Sequence, residues 1–317
     1  MALTDAQVQA VKRDITHFFG QAASAAMPIY SRYCTVIPSS SLDEKYGFLG
    51  ASPGMREWLG DRHFNEMRAA DYTLANKAWE SSLKMDRFTM EDDRYGGLQE
   101  SIGDLAEEAV YHPDELLFDI INAGESGTCF DGQFFYDTDH SWGDSGTQSN
   151  DLTYNAADHT DVTPLEFKKA FNAALKAMLA FKNDRGKYFI RPTAGKLGNI
   201  VCRVPLALYD VAVDAFESQL LVKTAGDGAE TNVLIEKPDV QVIQYMGAGT
   251  TGGSDVKFDI DFLGGRLKPF VFQARSPLRF EVSGQAGIEF KDVKAMTEAR
   301  YNVGYLMWPF SVRTTFN

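Results

Sequence analysis

Apolar residues recur with a helical period in the first two-thirds of this chain and with a period near two in the last third. Val8, Val11, Ile15, Phe18 and Phe19 form one stripe, which predicts a short amphipathic helix over residues 5–19. From Gln21 to Ser41 the period is lost, and Ala, Ser and two prolines gather as they would in an extended arm. Leu98, Ile102, Leu105 and Ala109 mark a helix from about residue 94, opened by Glu91–Asp93 where the helix dipole favours negative charge. His112–Pro113 reads as an interruption, after which Pro113, Asp114 and Glu115 restart a helix carrying Leu116, Leu117, Ile120 and Ile121, with Gly124 as its stop. The clearest helix runs from Pro164 to about Lys182. Thr163 and Glu166 supply a capping box, and Phe167, Ala170, Phe171, Ala174, Leu175, Met178 and Leu179 supply the buried face. Pro205 opens another helix over about 205–218.

Residues 71–90 predict two strands with a turn near Ala75–Ala78. Their apolar content is thin (Tyr72, Leu74, Trp79, Leu83, Met85), and no helix stands ready to cover them. An isolated hairpin is marginal in water, so this one needs a partner surface in its own domain or on a neighbouring subunit. Residues 124–160 are rich in Gly, Asp, Ser and Thr and read as loop. From Asn232 onward, NVLIEKPDVQVIQYM, DVKFDIDFL and LKPFVFQARSPLRFEV alternate or run apolar between Gly- and Pro-bearing breaks, the pattern of strands. Helices first and strands later, without βαβ alternation, predict an α+β fold.

At 317 residues and 44% hydrophobic, the chain is long enough for a full core in one large or two medium domains. Cys34, Cys129 and Cys202 are scattered, odd in number and free of CxxC spacing, which argues against a disulfide framework or zinc ribbon and fits a reducing cytoplasm. No secretory signal and no apolar run of membrane-spanning length is present, so the reading is of a soluble protein made inside the cell. A net charge of −13 disfavours nucleic-acid binding, because phosphate contacts need clustered Lys and Arg.

Three motifs imitate catalysis. Gly247, Gly249 and Gly252 spell GxGxxG, but SDVKFDIDF follows with strand alternation where a dinucleotide site needs a helix N-terminus. Gly143-Asp144-Ser145-Gly146 resembles a serine-protease nucleophile segment without a histidine in protease context. Asp137, Asp139 and His140, with Asp131 before and Asp158-His159 after, offer ligands for a metal but lack HxH or HExxH spacing. Solvated loop acids, or a buried pair in which His140 donates to a carboxylate, account for the last run. We expect no catalytic residue, no cofactor and no metal.

Tyr46-Gly47-Phe48-Leu49-Gly50, Arg56-Glu57-Trp58 and Gly60-Asp61-Arg62 near the start resemble the Mu-like phage major head subunit family. The resemblance continues through Glu91–Asp93, His112–Leu116, Cys129–Phe135 and Asp137–His140, and returns in Arg300, Asn302, Gly304, Tyr305 and Trp308. One departure is Ser141-Trp142, where the family pattern has proline after the histidine. The match spans most of the chain and is weakest over about 185–230.

The resemblance implies a Hong Kong 97-type capsid fold. It divides the chain into an N-terminal arm (1–60), an E-loop hairpin region (61–93), a peripheral domain with a spine helix (94–160), an axial domain (161–265), return strands of the peripheral domain (266–290) and a C-terminal return to the axial domain (291–317). It also implies a major head protein of a tailed phage or prophage, assembled in the host cytoplasm as pentamers and hexamers into an icosahedral shell around double-stranded DNA. The arm of about 40 residues is too short to hold a fused scaffold. A separate scaffolding protein, a head protease and a portal are therefore expected partners, with a decoration protein as an optional one and no membrane. Lys77 and Lys84 lie on the predicted hairpin, but no motif there carries over the crosslinking found in some relatives of the fold. Phe18 and Phe19 on the arm and Tyr72, Leu74, Trp79 and Leu83 on the hairpin are the expected intersubunit contacts. The alternatives are a cellular encapsulin-like shell of the same fold and a metal-dependent hydrolase built on Asp137, Asp139 and His140.

Overall fold

A computed structural model describes residues 5–49, 69–86, 97–190, 198–222, 228–232, 237–283 and 292–317. The chain opens with helix α1 (Asp5–Ala25), one turn of helix α2 (Tyr30–Tyr33) and strand β1 (Cys34–Pro38). Strands β2 (Asp43–Leu49), β3 (Ala69–Ala75) and β4 (Lys77–Asp86) follow, then helix α3 (Gly97–Asn122). Next come β5 (Asp151–Tyr154), α4 (Pro164–Ala180), β6 (Ile200–Val204), α5 (Tyr209–Glu217), β7 (Leu220–Val222), β8 (Ala229–Thr231) and β9 (Asp239–Val242). The last strands are β10 (Lys257–Phe262), β11 (Phe270–Ser283), β12 (Asp292–Tyr305) and β13 (Ser311–Phe316). Four strands join in the order β1-β11-β12-β4 and five in the order β5-β13-β10-β6-β9, while β2-β3 and β7-β8 form separate pairs. The α+β expectation holds.

Helix α4 forms as its sequence dictates. Thr163 accepts from the Glu166 N–H, Glu166 reaches back to the Thr163 N–H, and Pro164 takes the first turn, where a missing donor costs nothing. Its Phe167, Phe171, Ala174, Leu175 and Met178 are buried.

Helix α3 differs from expectation. It runs unbroken through Pro113. The proline removes the N–H that would bond the Ala109 carbonyl, at a cost of roughly 3 kcal/mol. Ile102, Leu105 and Ala106 on one side and Leu117, Phe118 and Ile121 on the other are all buried, and a large apolar side chain contributes about 1.5–3 kcal/mol on burial, which outweighs the break.

Residues 71–90 also differ. Strands β3 and β4 are separated by Asn76 alone, yet each pairs elsewhere. Strand β3 lies antiparallel to β2, with Tyr46 opposite Tyr72, and β4 lies antiparallel to β12, with Trp79 opposite Ala299. The hairpin is therefore β2–β3. The turn near Ala75–Ala78 joins two sheets and does not close a hairpin between its own neighbours. Residues 50–68 and 87–96, which carry Arg56–Trp58, Gly60–Arg62 and Glu91–Asp93, lie outside the described residues.

The stretch from Gln21 to Ser41 is docked. Helix α1 continues to Ala25, and β1 joins the four-stranded sheet parallel to β11, with Cys34 against Phe270.

Two hydrophobic cores result. The larger gathers α4, α5, the five-stranded sheet and the C-terminal half of α3. The smaller holds Ile15, Phe19, Met85, Ile102, Leu105, Ala106, Val293 and Ala295. Helix α3 and the β11–β12 ribbon cross both. Between the cores, Pro113 leaves one backbone bond of the continuous helix unmade, and the β11–β12 register slips twice between Ala274 and Arg279 around Pro277, which has no N–H for a ladder.

Candidate functional site

The arm and the hairpin are positioned by specific contacts within the chain. On α1, Ile15 and Phe19 are buried against α3, and the Phe19 ring stacks on Phe280 of β11 at 3.9 Å with 10° between planes. Phe18 is half-buried on the same core, and so is Leu83 of β4. Asp114 of α3 ties the arm down further along, accepting from the backbone N–H groups of Ile29 and Tyr30 at 2.9 and 2.6 Å.

The base of the hairpin crosses β12 and β11. Leu74 is buried in the larger core, and Tyr72 accepts from the Tyr305 N–H at 3.4 Å. A side chain at Gly304 would place its Cβ 2.9 Å from the Tyr72 hydroxyl and 3.0 Å from a Leu74 methyl, so only glycine allows this crossing. Tyr46 donates to Gln273 Oε1 at 2.7 Å, Gln273 donates to the Leu74 carbonyl at 3.2 Å, and Asn302 donates to the Ala75 carbonyl at 2.7 Å. Burial pushes the Tyr46 phenol up to about 12 and raises Tyr72 as well. Before β2, the Glu44 carboxylate accepts from the Ser40 and Ser41 N–H groups and the Ser39 hydroxyl, and those bonds hold it down at about 2. On β4, the Trp79 indole donates to the Tyr301 carbonyl at 3.1 Å.

The six residues singled out in the sequence thus fall into two groups. Phe18, Phe19 and Leu83 meet at the smaller core, and Tyr72, Leu74 and Trp79 meet at the larger. All six have cover inside their own chain. The premise that the apolar residues of 71–90 lack it is corrected, because α1 and α3 arrive from either side in sequence.

The acidic loop is a structural knot. His140 is fully buried, with Nδ1 2.7 Å from Asp131 and Nε2 3.1 Å from Asn150 Oδ1. The Asn150 amide nitrogen donates to the carbonyls of Phe135 and Ser311, which fixes its oxygen as the acceptor, so His140 donates from Nε2. The imidazole lies flat on Trp308 at 3.9 Å. With both nitrogens engaged and no exposed edge, His140 is not placed to act on a substrate. Among the described residues, no group of three or more His, Cys, Asp or Glu is placed to hold a metal. Ser145 accepts from the Trp142 N–H and donates to the Gly146 carbonyl, as a turn residue does. The glycine run at 247–252 leads into strand β10. All three cysteines are buried and free, and burial raises their thiols far above the usual range.

Sequence reasoning missed a charged network in the larger core. Asp259 and Asp261 on β10, Arg203 on β6 and Arg313 on β13 are all buried. Register puts Asp259 opposite both Arg203 and Arg313. Arg203 Nε lies 2.5 Å from Asp261 Oδ2, Tyr136 and Ser311 join by hydroxyl bonds, and the Arg313 guanidinium stands 4.0 Å over the Tyr136 ring. Burial alone would raise the Asp259 carboxyl, but Arg313 and Arg203 outweigh it and hold it low. The available signal was KFDIDF itself, since a strand buried on both faces must match its acids with partners from neighbouring strands.

Comparisons place this arrangement among known proteins. Residues 8–165 match the family described as Mu-like prophage major head subunit gpT. The Mu-like prophage FluMu major head subunit of Haemophilus influenzae is 35% identical over 136 residues, 42% of this chain and 44% of that protein. The major capsid protein of Escherichia phage Mu is 32% identical over 140 residues, 44% of this chain and 46% of that protein. The aligned segment thus spans less than half the length of either relative. The capsid structure of cyanophage P-SCSP1u superposes with a TM-score of 0.60 at 11% identity, covering 92% of this chain and 89% of that one, which shows the fold to be the Hong Kong 97-type capsid fold. On the match over its N-terminal half and the capsid fold of its described residues, the chain belongs to the Mu-like prophage major head subunit family.

Proposed function

We propose that this chain is the major capsid protein of a Mu-like tailed phage or prophage. Copies associate as pentamers and hexamers and close an icosahedral shell around double-stranded DNA. The family match over residues 8–165 carries the reading. The capsid fold supports it, and so does the net charge of −13, which suits a container that encloses DNA without adhering to it. The activity is mechanical, and no catalytic role is assigned to any residue.

Arm, β2–β3 hairpin and β4 are the surfaces through which copies meet. Phe18, Tyr72, Trp79 and Leu83, each only partly buried in its own chain, keep some accessible surface for a neighbour, while Phe19 and Leu74, already buried, act by fixing the elements that carry them. A separate scaffolding protein and head protease guide assembly, a portal occupies one vertex, and a decoration protein is an optional addition. The product is the virion, assembled in the host cytoplasm. A cellular shell of the same fold that holds protein cargo is the second reading, and the contents of purified particles separate the two.

Negative-stain microscopy of purified protein, alone and co-expressed with its scaffold, tests the proposal. Rings, tubes or closed shells are expected. A strictly monomeric species under every condition would overturn it.

A further inference from the structure

A cavity of about 200 Å³ opens between α3 and the edge strand β4, at the seam between the two cores. Its walls are Trp79 and Ser81 from β4, Glu108 and His112 from α3, Tyr301 from β12 and Leu278 from β11. Three rings are locked around it. Trp79 donates to the Tyr301 carbonyl, His112 Nδ1 bonds the Tyr301 hydroxyl at 2.7 Å, and His112 meets the Trp79 ring edge-on at 4.4 Å. Glu108 stands one helical turn before His112, exposed and without a hydrogen bond or ion pair among the described residues. The rest of α3 adds Glu100, Asp104, Glu107, Asp114, Glu115 and Asp119, with no Lys or Arg on the helix.

We propose that this cavity receives one cationic side chain, an arginine or lysine, from a second copy of the chain. An apolar floor at Leu278 takes the aliphatic stem, the Trp79 face takes the charge by cation–π attraction, and Glu108 pairs with it at the mouth. The tryptophan already shows this behaviour. Lys77 Nζ, outside the cavity walls, stands 5.8 Å from its ring centroid. Because the rings are fixed by bonds to each other, no ordering cost falls on the receptor side. The choice of a second copy rests on the capsid reading above and on charge. The chain carries exposed cations held only in surface ion pairs, which are weak enough to exchange: the side chains of Lys45 and Arg279, paired with Asp71 and Glu298 of their own chain, stand at 65% and 64% exposure.

The test has two arms. First, N-acetyl-arginine amide is titrated into the unassembled subunit, with the uncharged N-acetyl-norleucine amide as control. The arginine probe is expected to bind, and Glu108→Gln and Trp79→Leu are each expected to weaken it about tenfold. Equal binding of both probes, or binding indifferent to Glu108→Gln, would overturn the cationic site even if Trp79→Leu fails to fold. Second, Glu108→Lys should raise the protein concentration needed for shells by about tenfold, while Glu100→Lys on the same helix leaves it unchanged. Normal shells from Glu108→Lys would overturn the second copy as occupant. The first arm needs no assembly, so failure of the cavity and failure of the capsid reading give different results.

Discussion

Arg313 grips Asp259 in the floor of the larger core, its Nε and Nη2 lying 2.9 and 3.1 Å from the two carboxylate oxygens. Neither group reaches solvent. The pair joins β13 to β10 where Arg203 approaches Asp259 from the other side at 3.2 Å. Removing one partner leaves a buried charge with too few counterparts. Arg313→Met should cost about 3–5 kcal/mol in urea unfolding of the unassembled subunit. A loss below about 1 kcal/mol would mean that the remaining guanidinium satisfies Asp259 alone.

Gly304→Ala should drive the hairpin off its base. The added methyl meets the Tyr72 hydroxyl and the Leu74 methyls, and overpacking of this kind costs about 1–3 kcal/mol. Tyr72→Phe removes one of the clashing atoms, so a double-mutant cycle between the two positions should show coupling of about 0.5 kcal/mol or more. Strict additivity would place the hairpin elsewhere.

Acid should loosen the segment that leads into the hairpin. The Glu44 carboxyl titrates at about 2 in the folded chain, below its ordinary value of 4.5, because it accepts three bonds from Ser39, Ser40 and Ser41. A depressed carboxyl contributes stability that is complete above its unfolded value and is lost as pH falls through the folded one. Exchange of the Ser40 and Ser41 amides should therefore accelerate between about pH 4.5 and 2, and Glu44→Gln should abolish that dependence. Unchanged protection across that window would remove Glu44 from the role.

Phe19→Ala should release the arm before it unfolds the body. The ring is stacked on Phe280 in the smaller core, and deleting a buried phenyl costs about 3–5 kcal/mol. Limited proteolysis should then cut within α1 while the larger core melts as before. Cutting throughout the chain at the same rate would show that the two cores do not separate.

Much of the fold was legible because some signals are local. The capping box at Thr163–Glu166, the apolar face of α4 and the proline opening the segment before α5 each depend on a few neighbouring residues. What stayed hidden depends on distant ones. Nothing near Trp79 announces that β4 will find β12 more than 200 residues later, so its short alternating run reads as a hairpin with its neighbour. Pro113 looks like a boundary because only tertiary burial on both sides keeps α3 whole. Asp259 and Asp261 look solvent-facing until Arg203 and Arg313 are brought opposite them. At the candidate contact surfaces, residue type pointed to Phe19 and Leu74, but which side chains face inward is a property of the assembled core.

The seam between the cores has a thermodynamic consequence. A broken helix bond at Pro113, two register slips around Pro277 and a cavity beside Ala109 and Ala299 coincide on one cross-section of the subunit. Cooperativity depends on contacts that fail together, and here the helix ladder, the strand register and the packing are all interrupted. The chain should then behave as two unfolding units sharing one backbone: native-state hydrogen exchange would resolve a lower-energy opening of α1, the N-terminal end of α3 and the distal β11–β12 ribbon, distinct from the global event that releases β10 and β13. A particle built from such subunits could absorb stress by local melting at one end of each copy while the other end kept its place in the lattice.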